Sequence, residues 1–220
     1  MNRIKNYEKL KIRIVNWLKD YYSKNNIRGF VVGVSGGIDS AVVSTLCCET
    51  ELPTYLLTLP LHTKKETFKL SNEHCFNLVM KSKNVSHASV DLSSTYDALI
   101  HEFYDNYKFT HTKLANANTK ARLRMTTLYQ AAGCLGHIVV GTGNKVEDYG
   151  IGFFTKYGDG GVDIAPIADL YKTEVRELGK YLGVDQRIID AKPTDGLWED
   201  GRTDEDQIGA TYEELEEAME

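Results

Sequence analysis

The sequence holds only four cysteines, Cys47, Cys48, Cys75 and Cys134, with no Cys-x-x-Cys pair and no cysteine–histidine cluster at zinc-finger spacing. That excludes a small disulfide framework and a structural zinc module, and it reads as buried thiols in a reducing compartment. The six histidines, His62, His74, His87, His101, His111 and His137, are scattered without ligand spacing, so none is assigned to a metal. No long uninterrupted apolar run occurs, which excludes a membrane span by a helix. Charges at Arg3, Lys5, Glu8, Lys9, Lys11, Arg13 and Lys19 break up the uncharged core that a signal peptide needs. A cytoplasmic protein is expected. Basic residues are not in excess: 26 Lys and Arg face 31 Asp and Glu, a net charge of −5, so no nucleic-acid partner is expected. Repeats and low-complexity tracts are absent too. What is present is ordinary for a compact domain, 42% hydrophobic and 26% charged, and 220 residues suit one catalytic module spanning 1–220.

Apolar residues at Ile4, Tyr7, Leu10, Ile14, Trp17, Leu18 and Tyr21 recur at the helical period, and Asn25-Asn26 ends the run. Gly29 to Val34 (GFVVGV) is short, β-branched and bounded by glycine, which predicts a buried strand. Helices are expected over 38–48, 66–80, 94–109 and 121–135, and strands over 54–59, 85–90 and 137–140. A further helix is expected over 169–182, with Asp169 as its N-cap. Alternating strands and helices predict an α/β fold, a doubly wound parallel sheet with helices on both faces. Gly150 to Gly161 reads as a long functional loop, and Thr211-Tyr212-Glu213-Glu214 as a capping box opening a last helix.

The chemistry concentrates in Ser35-Gly36-Gly37-Ile38-Asp39-Ser40, between a predicted strand and a predicted helix. Paired glycines let backbone N–H groups turn inward, and the helix N-terminus adds positive potential, which together suit a phosphate. A glycine pair alone would be an ordinary turn; the full pattern in this context is more specific. The lysine of a Walker A loop is missing: Asp39 stands before Ser40, an acid that needs a metal between itself and a phosphate, so Mg2+ is expected.

The hexapeptide resembles the signature of the N-type ATP pyrophosphatases, which split ATP between its α and β phosphates to adenylate a substrate oxygen. Within that group, Thr142-Gly143-Asn144-Lys145-Val146-Glu147 and Thr155-Lys156-Tyr157-Gly158-Asp159-Gly160, with Asp163 and Pro166, are similar to the NAD synthetases. Asn118 to Met125, Tyr171 to Val175, Lys192-Pro193-Thr194 with Leu197-Trp198, and Thr203-Asp204-Glu205 follow in the family's order.

The resemblance implies a Rossmann-like domain of the ATP pyrophosphatase type. It implies ATP on Gly33, Val34, Ser35, Gly36, Gly37, Ile38, Asp39, Ser40, Thr142, Lys172 and Thr194, and magnesium on Asp39 and Glu147, with Asp148 as an alternative ligand. Deamido-NAD would meet Arg122, Lys156 and Asp163. In the implied reaction the nicotinate carboxylate attacks the α-phosphate while Lys172 stabilises the departing pyrophosphate, and ammonia then displaces AMP. Asp39, Lys172 and Asp163 are the candidate catalytic residues; a carboxylate such as Asp163 could orient or deprotonate ammonia, though spacing alone does not single it out. The chain has no room for a glutamine amidase domain, and Cys47 and Cys48 sit among Val42, Val43 and Leu46, so ammonia is the expected direct donor. A homodimer is implied, through the helices bearing Tyr96, Leu99, Phe103, Tyr107, Leu123 and Leu128; these residues could equally be intramolecular core.

Three departures from the family accompany these matches. One extra residue lies between Glu147 and Thr155. A family tail with a His-Lys substrate contact is expected beyond the last helix, but the sequence ends at Glu220. After the second strand, Leu59 to Lys64 offers His62 and Lys64 where the family places an arginine. The alternatives are another N-type ATP pyrophosphatase, either an adenylating amidotransferase or a tRNA-thiolating enzyme, and a non-catalytic ATP-binding module; acidic net charge and unpaired cysteines weigh against RNA thiolation.

Overall fold

A computed structural model describes residues 4–110, 112–198 and 200–220; His111 lies outside them. Four strands, β1 (Phe30–Gly33), β2 (Thr54–Thr58), β3 (Val85–Ser89) and β4 (Ile138–Val140), form one parallel sheet in the order β3-β2-β1-β4. Val140 adds a parallel bridge to Ile164 beyond β4. The helices are α1 (Tyr7–Lys24), α2 (Ile38–Glu49), α3 (Lys65–Lys81), α4 (Ser93–Asn106), α5 (Lys113–Leu135), α6 (Lys172–Leu182), α7 (Gln186–Ile189), α8 (Asp204–Ile208) and α9 (Tyr212–Ala218).

Strand order reverses at β1, since β2 and β3 build outward on one side and β4 returns on the other. Right-handed crossovers then require the connections to lie on opposite faces. They do. Phe30, Val32 and Leu56 pack with α1, α2 and α6 through Ile14, Leu18, Leu46 and Leu178. Val31, Leu57 and Val139 pack on the other face with Met125, Leu128 and Ala132 of α5 and with Tyr96 of α4. Both faces are covered, which is why the central strand β1 and its neighbour β4 read as continuous apolar runs, whereas the edge strand β3 (VSHAS) does not. The reversal leaves a crevice at the carboxyl ends of β1 and β4, where doubly wound sheets bind ligands.

Several elements depart from the sequence expectations. Helix α5 begins at Lys113, eight residues before the expected Ala121, because its first turns carry Asn116, Asn118 and Thr119 and bury only Ala117 and the polar Lys120, so they show no apolar period. Helix α4 stops at Asn106. The N-cap of α6 is Tyr171, not Asp169; the Glu174 carboxylate reaches back to accept the Tyr171 N–H at 3.0 Å, so the cap signal came from inside the helix. The expected loop at 150–161 is preceded and entered by a π-helical turn, Val146–Ile151. A π-turn takes up one residue more per turn than an α-turn. The 211–214 capping box forms as read, with Thr211 accepting from Glu214 N–H.

Candidate active site

The turn after β1 takes its shape from its two glycines and two serines. Gly36 has φ +93°, and a Cβ there would stand 2.9 Å from the Thr67 carbonyl oxygen, so this position excludes other residues. The Ser40 hydroxyl accepts the Ser35 N–H at 3.1 Å and donates to the Gly37 carbonyl at 3.0 Å, while Ser35 Oγ accepts the Gly37 N–H at 3.2 Å. Gly37 is the N-cap of α2, which puts Ile38, Asp39 and Ser40 in its first turn with N–H groups that have no acceptor within the helix. Val34 is buried beneath this turn and Gly33 closes β1.

Opposite the turn, β4 ends in Gly141-Thr142-Gly143-Asn144. Asn144 is fully buried, and its side-chain Oδ1 accepts the N–H groups of Val146 and Glu147, both at 3.1 Å, which starts the π-turn. Its amide nitrogen donates to Asp39 Oδ1 at 3.3 Å, tying the β4 turn to α2. Lys172, at the start of α6, is 3% exposed and its ammonium donates to Asp39 Oδ2 at 2.5 Å and to Glu147 Oε1 at 2.9 Å. The Tyr212 hydroxyl donates to Glu147 Oε1 at 2.6 Å and stands 3.3 Å from Asp204 Oδ2. The structure thus brings together Asp39, Glu147 and Lys172 from three separate elements, and adds Asn144, Asp204 and Tyr212, which the motif reading did not assign.

The electrostatics follow from burial. Burial raises the Asp39 carboxyl, helped by the Glu147 charge and opposed by Lys172. Burial would also raise Glu147, but the Lys172 ammonium and hydrogen bonds from Lys172, Tyr212 and Asn144 outweigh it and hold that carboxyl below its ordinary value. Lys172 itself is buried, yet the two carboxylates hold its pKa above the ordinary lysine value. Asp148 is pushed up to about 6 by burial and then by Glu147, Asp159 and Asp39. Its carboxylate lies against Gly143, where a Cβ would run into it, so Gly143 makes room for that side chain. Asp204 is likewise raised to about 6, mainly by burial, and its Oδ1 is buried without a hydrogen-bond partner.

The Lys172 ammonium thus lies among Asp39, Glu147 and Asp204, and Asp148 adds a further acid beside Glu147 and Asp39. Such a cluster would repel a triphosphate, and its hard oxygen donors and orphaned Asp204 oxygen suit a small divalent cation. Among the described residues no three side chains form a ready metal cage; the carboxylates of Asp39 and Glu147 could hold magnesium together with substrate phosphates.

The remaining predicted residues lie around this centre. Thr142 is half-buried at the end of β4. Thr194 is exposed, donating to the Arg202 carbonyl at 3.1 Å and accepting from Gly196 N–H. Its neighbour Pro193 accepts the Asp204 N–H at 3.0 Å, which connects that segment to the cluster. Arg122 and Lys156 are brought together, Arg122 Nε donating to the Lys156 carbonyl at 3.0 Å. Asp163 is exposed and apart: its Oδ2 accepts the Val139 N–H at 2.7 Å along the edge of β4, and its Oδ1 accepts the Tyr129 hydroxyl at 3.1 Å. Among the described residues no hydrogen bond or ion pair joins Asp163 to Asp39, Glu147 or Lys172. Beneath the segment after α7, the buried Lys120 donates to the Leu197 carbonyl at 3.1 Å, and Arg124 donates to the Leu59 carbonyl at 3.1 Å.

The proposed dimer contacts divide. Tyr96 and Leu128 are core, whereas Leu99, Phe103 and Tyr107 are exposed. Phe103 stacks on Phe109 with centroids 5.1 Å apart.

A parallel sheet reversing at β1, a glycine turn at a helix N-terminus and a carboxylate–lysine cluster at the switch point define a doubly wound α/β nucleotide-binding domain. The chain belongs to the NAD synthase family, whose profile matches residues 10–220. It is 42% identical over 212 residues to an NH(3)-dependent NAD(+) synthetase of Carboxydothermus hydrogenoformans, covering 96% of this chain and 84% of that protein. It is 39% identical over 214 residues to the protein of the same name from Archaeoglobus fulgidus, covering 97% and 83%. Among solved structures, the NMN synthetase from Francisella tularensis superposes with a TM-score of 0.89 at 38% identity, covering 98% of this chain and 87% of that one. The NH3-dependent NAD synthetase from Campylobacter jejuni gives 0.73 at 30% identity, covering 84% and 76%.

Proposed function

We propose that the chain is an ammonia-dependent NAD synthetase, a ligase that forms the amide of NAD from deamido-NAD at the expense of ATP. The observation that carries this reading is the Lys172 ammonium held between Asp39 and Glu147 at 2.5 and 2.9 Å, beside the Ser35–Ser40 turn. ATP lies with its phosphates over the turn, where first-turn N–H groups of α2 and the Ser35 and Ser40 hydroxyls meet them, with Thr142 and Thr194 as further contacts. Asp39 and Glu147, with Asp148 as an alternative, would hold Mg2+, which would supply positive charge against the triphosphate. Lys172 supplies fixed positive charge to the departing pyrophosphate.

The nicotinate carboxylate attacks the α-phosphorus in line, forming a carboxyl–phosphate bond as the bond to pyrophosphate breaks. Ammonia then attacks the carbonyl carbon, loses a proton, and expels AMP. The protein positions the reactants and excludes water, with no covalent protein intermediate. That absence suits its thiols: burial pushes Cys75 up to about 12 and raises Cys47 beyond ordinary thiols, so neither is a nucleophile. Arg122, with Lys156 beside it, meets the acceptor's phosphates. Asp163 orients ammonia only if its present bonds to Val139 and Tyr129 are exchanged. A homodimer through the exposed faces of α4 and α5, and a cytoplasmic setting, complete the reading; no described helix is long and apolar enough to cross a membrane.

The likeness to an NMN synthetase favours a second acceptor, nicotinate mononucleotide, with the same chemistry at the carboxylate. Supplying each acceptor separately with ATP, magnesium and 15N-ammonium, and weighing the product, decides between them. Labelled NAD supports the first reading, labelled NMN alone the second, and no labelled amide from either rejects both.

A further inference from the structure

Tyr212 lies 65 residues beyond Glu147 and is fully buried, yet its hydroxyl donates to the Glu147 carboxylate at 2.6 Å. Glu147 Oε1 is gripped twice, by this hydroxyl and by Lys172 at 2.9 Å. Two donors on one oxygen stop the carboxylate from swinging, and the direction of its other oxygen follows. Helix α9 is built to deliver this contact. Its start is fixed by the Thr211–Glu214 capping box, and the Tyr212 N–H donates to Glu205 Oε1 at 3.1 Å. The Tyr212 ring packs with Val146 and Tyr171 and lies 4.9 Å from the Lys172 ammonium. One turn later Glu216 accepts from Thr173 N–H at 2.9 Å and from its hydroxyl at 2.6 Å, next to Lys172 in the chain. Past the end of α9, the Met219 side chain packs against Gly150 of the π-turn that carries Glu147.

We propose that Tyr212 is a positioning residue for the divalent cation, its hydroxyl fixing the Glu147 carboxylate in the orientation that holds the ion. This rests on the reading of Glu147 as a magnesium holder. Hydrogen bonds to metal-ligating carboxylates set their orientation, and losing one typically lowers metal affinity about 10–100-fold.

The test is manganese binding, followed by electron paramagnetic resonance, to the full-length protein in the presence of ATP. Parent, Tyr212→Phe, Tyr212→His and Glu147→Gln are compared, with circular dichroism verifying the fold of each. Phenylalanine keeps the ring and its packing and removes only the hydroxyl. A loss of manganese affinity of about tenfold or more is expected, together with a matching rise in the magnesium needed for AMP formation and a rate near the parent's at saturating magnesium. Histidine, which keeps a ring donor, is expected to recover part of the affinity and serves as the probe should phenylalanine not fold. Unchanged manganese affinity in Tyr212→Phe, or a lowered rate that magnesium does not restore, overturns the inference while leaving the function standing. Manganese binding by Glu147→Gln as tight as the parent's removes the underlying assignment of Glu147 instead.

Discussion

Lys172 and Asp39 are 133 residues apart in sequence, and their side chains meet at 2.5 Å in the interior of the site. The ammonium balances two carboxylates that burial would otherwise make costly, and removing one partner of a buried ion pair destabilises by about 3–5 kcal/mol. Lys172→Met is therefore expected to lower unfolding free energy in urea by that order and to slow AMP formation about 100-fold or more. Magnesium should stabilise this variant more than the parent, because it replaces the missing positive charge. Equal stabilisation of both would contradict the proposal that Asp39 and Glu147 hold the ion.

The glycine turn makes a graded prediction. Gly36→Ala places a Cβ 2.9 Å from a backbone oxygen at φ +93°, whereas Gly37→Ala meets only Ser35 Oγ at 3.4 Å. Gly36→Ala should cost about 1–3 kcal/mol of stability and most of the ATP affinity. Gly37→Ala should fold normally and keep part of that affinity. Denaturant titration and ATP titration calorimetry on the two proteins check the order.

How much of this was legible in the sequence differs by element. The strand GFVVGV, the serine–glycine turn and the Thr211 capping box could be read because each is fixed by a few adjacent residues. Asp39, Glu147 and Lys172 were singled out by a resemblance, and the fold brings them together. Asn144 and Tyr212 gave no local signal, since their roles arise from contacts with residues 105 and 65 positions away. The first turns of α5 and the cap of α6 were misread because polar residues face inward there or the capping group lies inside the helix. Asp163 read as catalytic by its motif and stands in the structure as a brace on the β4 edge.

Asp204 gives a pH prediction. Its pKa in the folded protein is about 6, against an ordinary 3.8, with burial as the main cause. The folded state therefore binds this proton more tightly than the unfolded chain, so the stability it contributes is full below pH about 4 and is lost as pH rises through about 6. Asp204→Asn, neutral at every pH, should melt above the parent at pH 7.5 in metal-free buffer. That advantage should shrink as pH falls from 6 toward 4. A gap that does not change with pH would mean that Asp204 is not the group responsible.

Arg122 holds the Lys156 carbonyl and presents its guanidinium at an exposed surface. Arg122→Ala is expected to raise KM for the acceptor about tenfold or more, as loss of a charge-assisted phosphate contact does. KM for ATP should stay near the parent value. Steady-state kinetics with each substrate varied in turn separates the two, and an equal rise in both would place Arg122 elsewhere.

Activation of the acceptor's carboxylate at the α-phosphate of ATP carries a carboxylate oxygen into AMP, so oxygen labelling follows the proposed step itself. Deamido-NAD labelled with 18O in its nicotinate carboxylate is incubated with the protein, ATP, magnesium and ammonium, and the products are weighed by mass spectrometry. The account requires one labelled oxygen in AMP and none in pyrophosphate. Label in inorganic phosphate with ADP as co-product, or AMP formed without label, would contradict it.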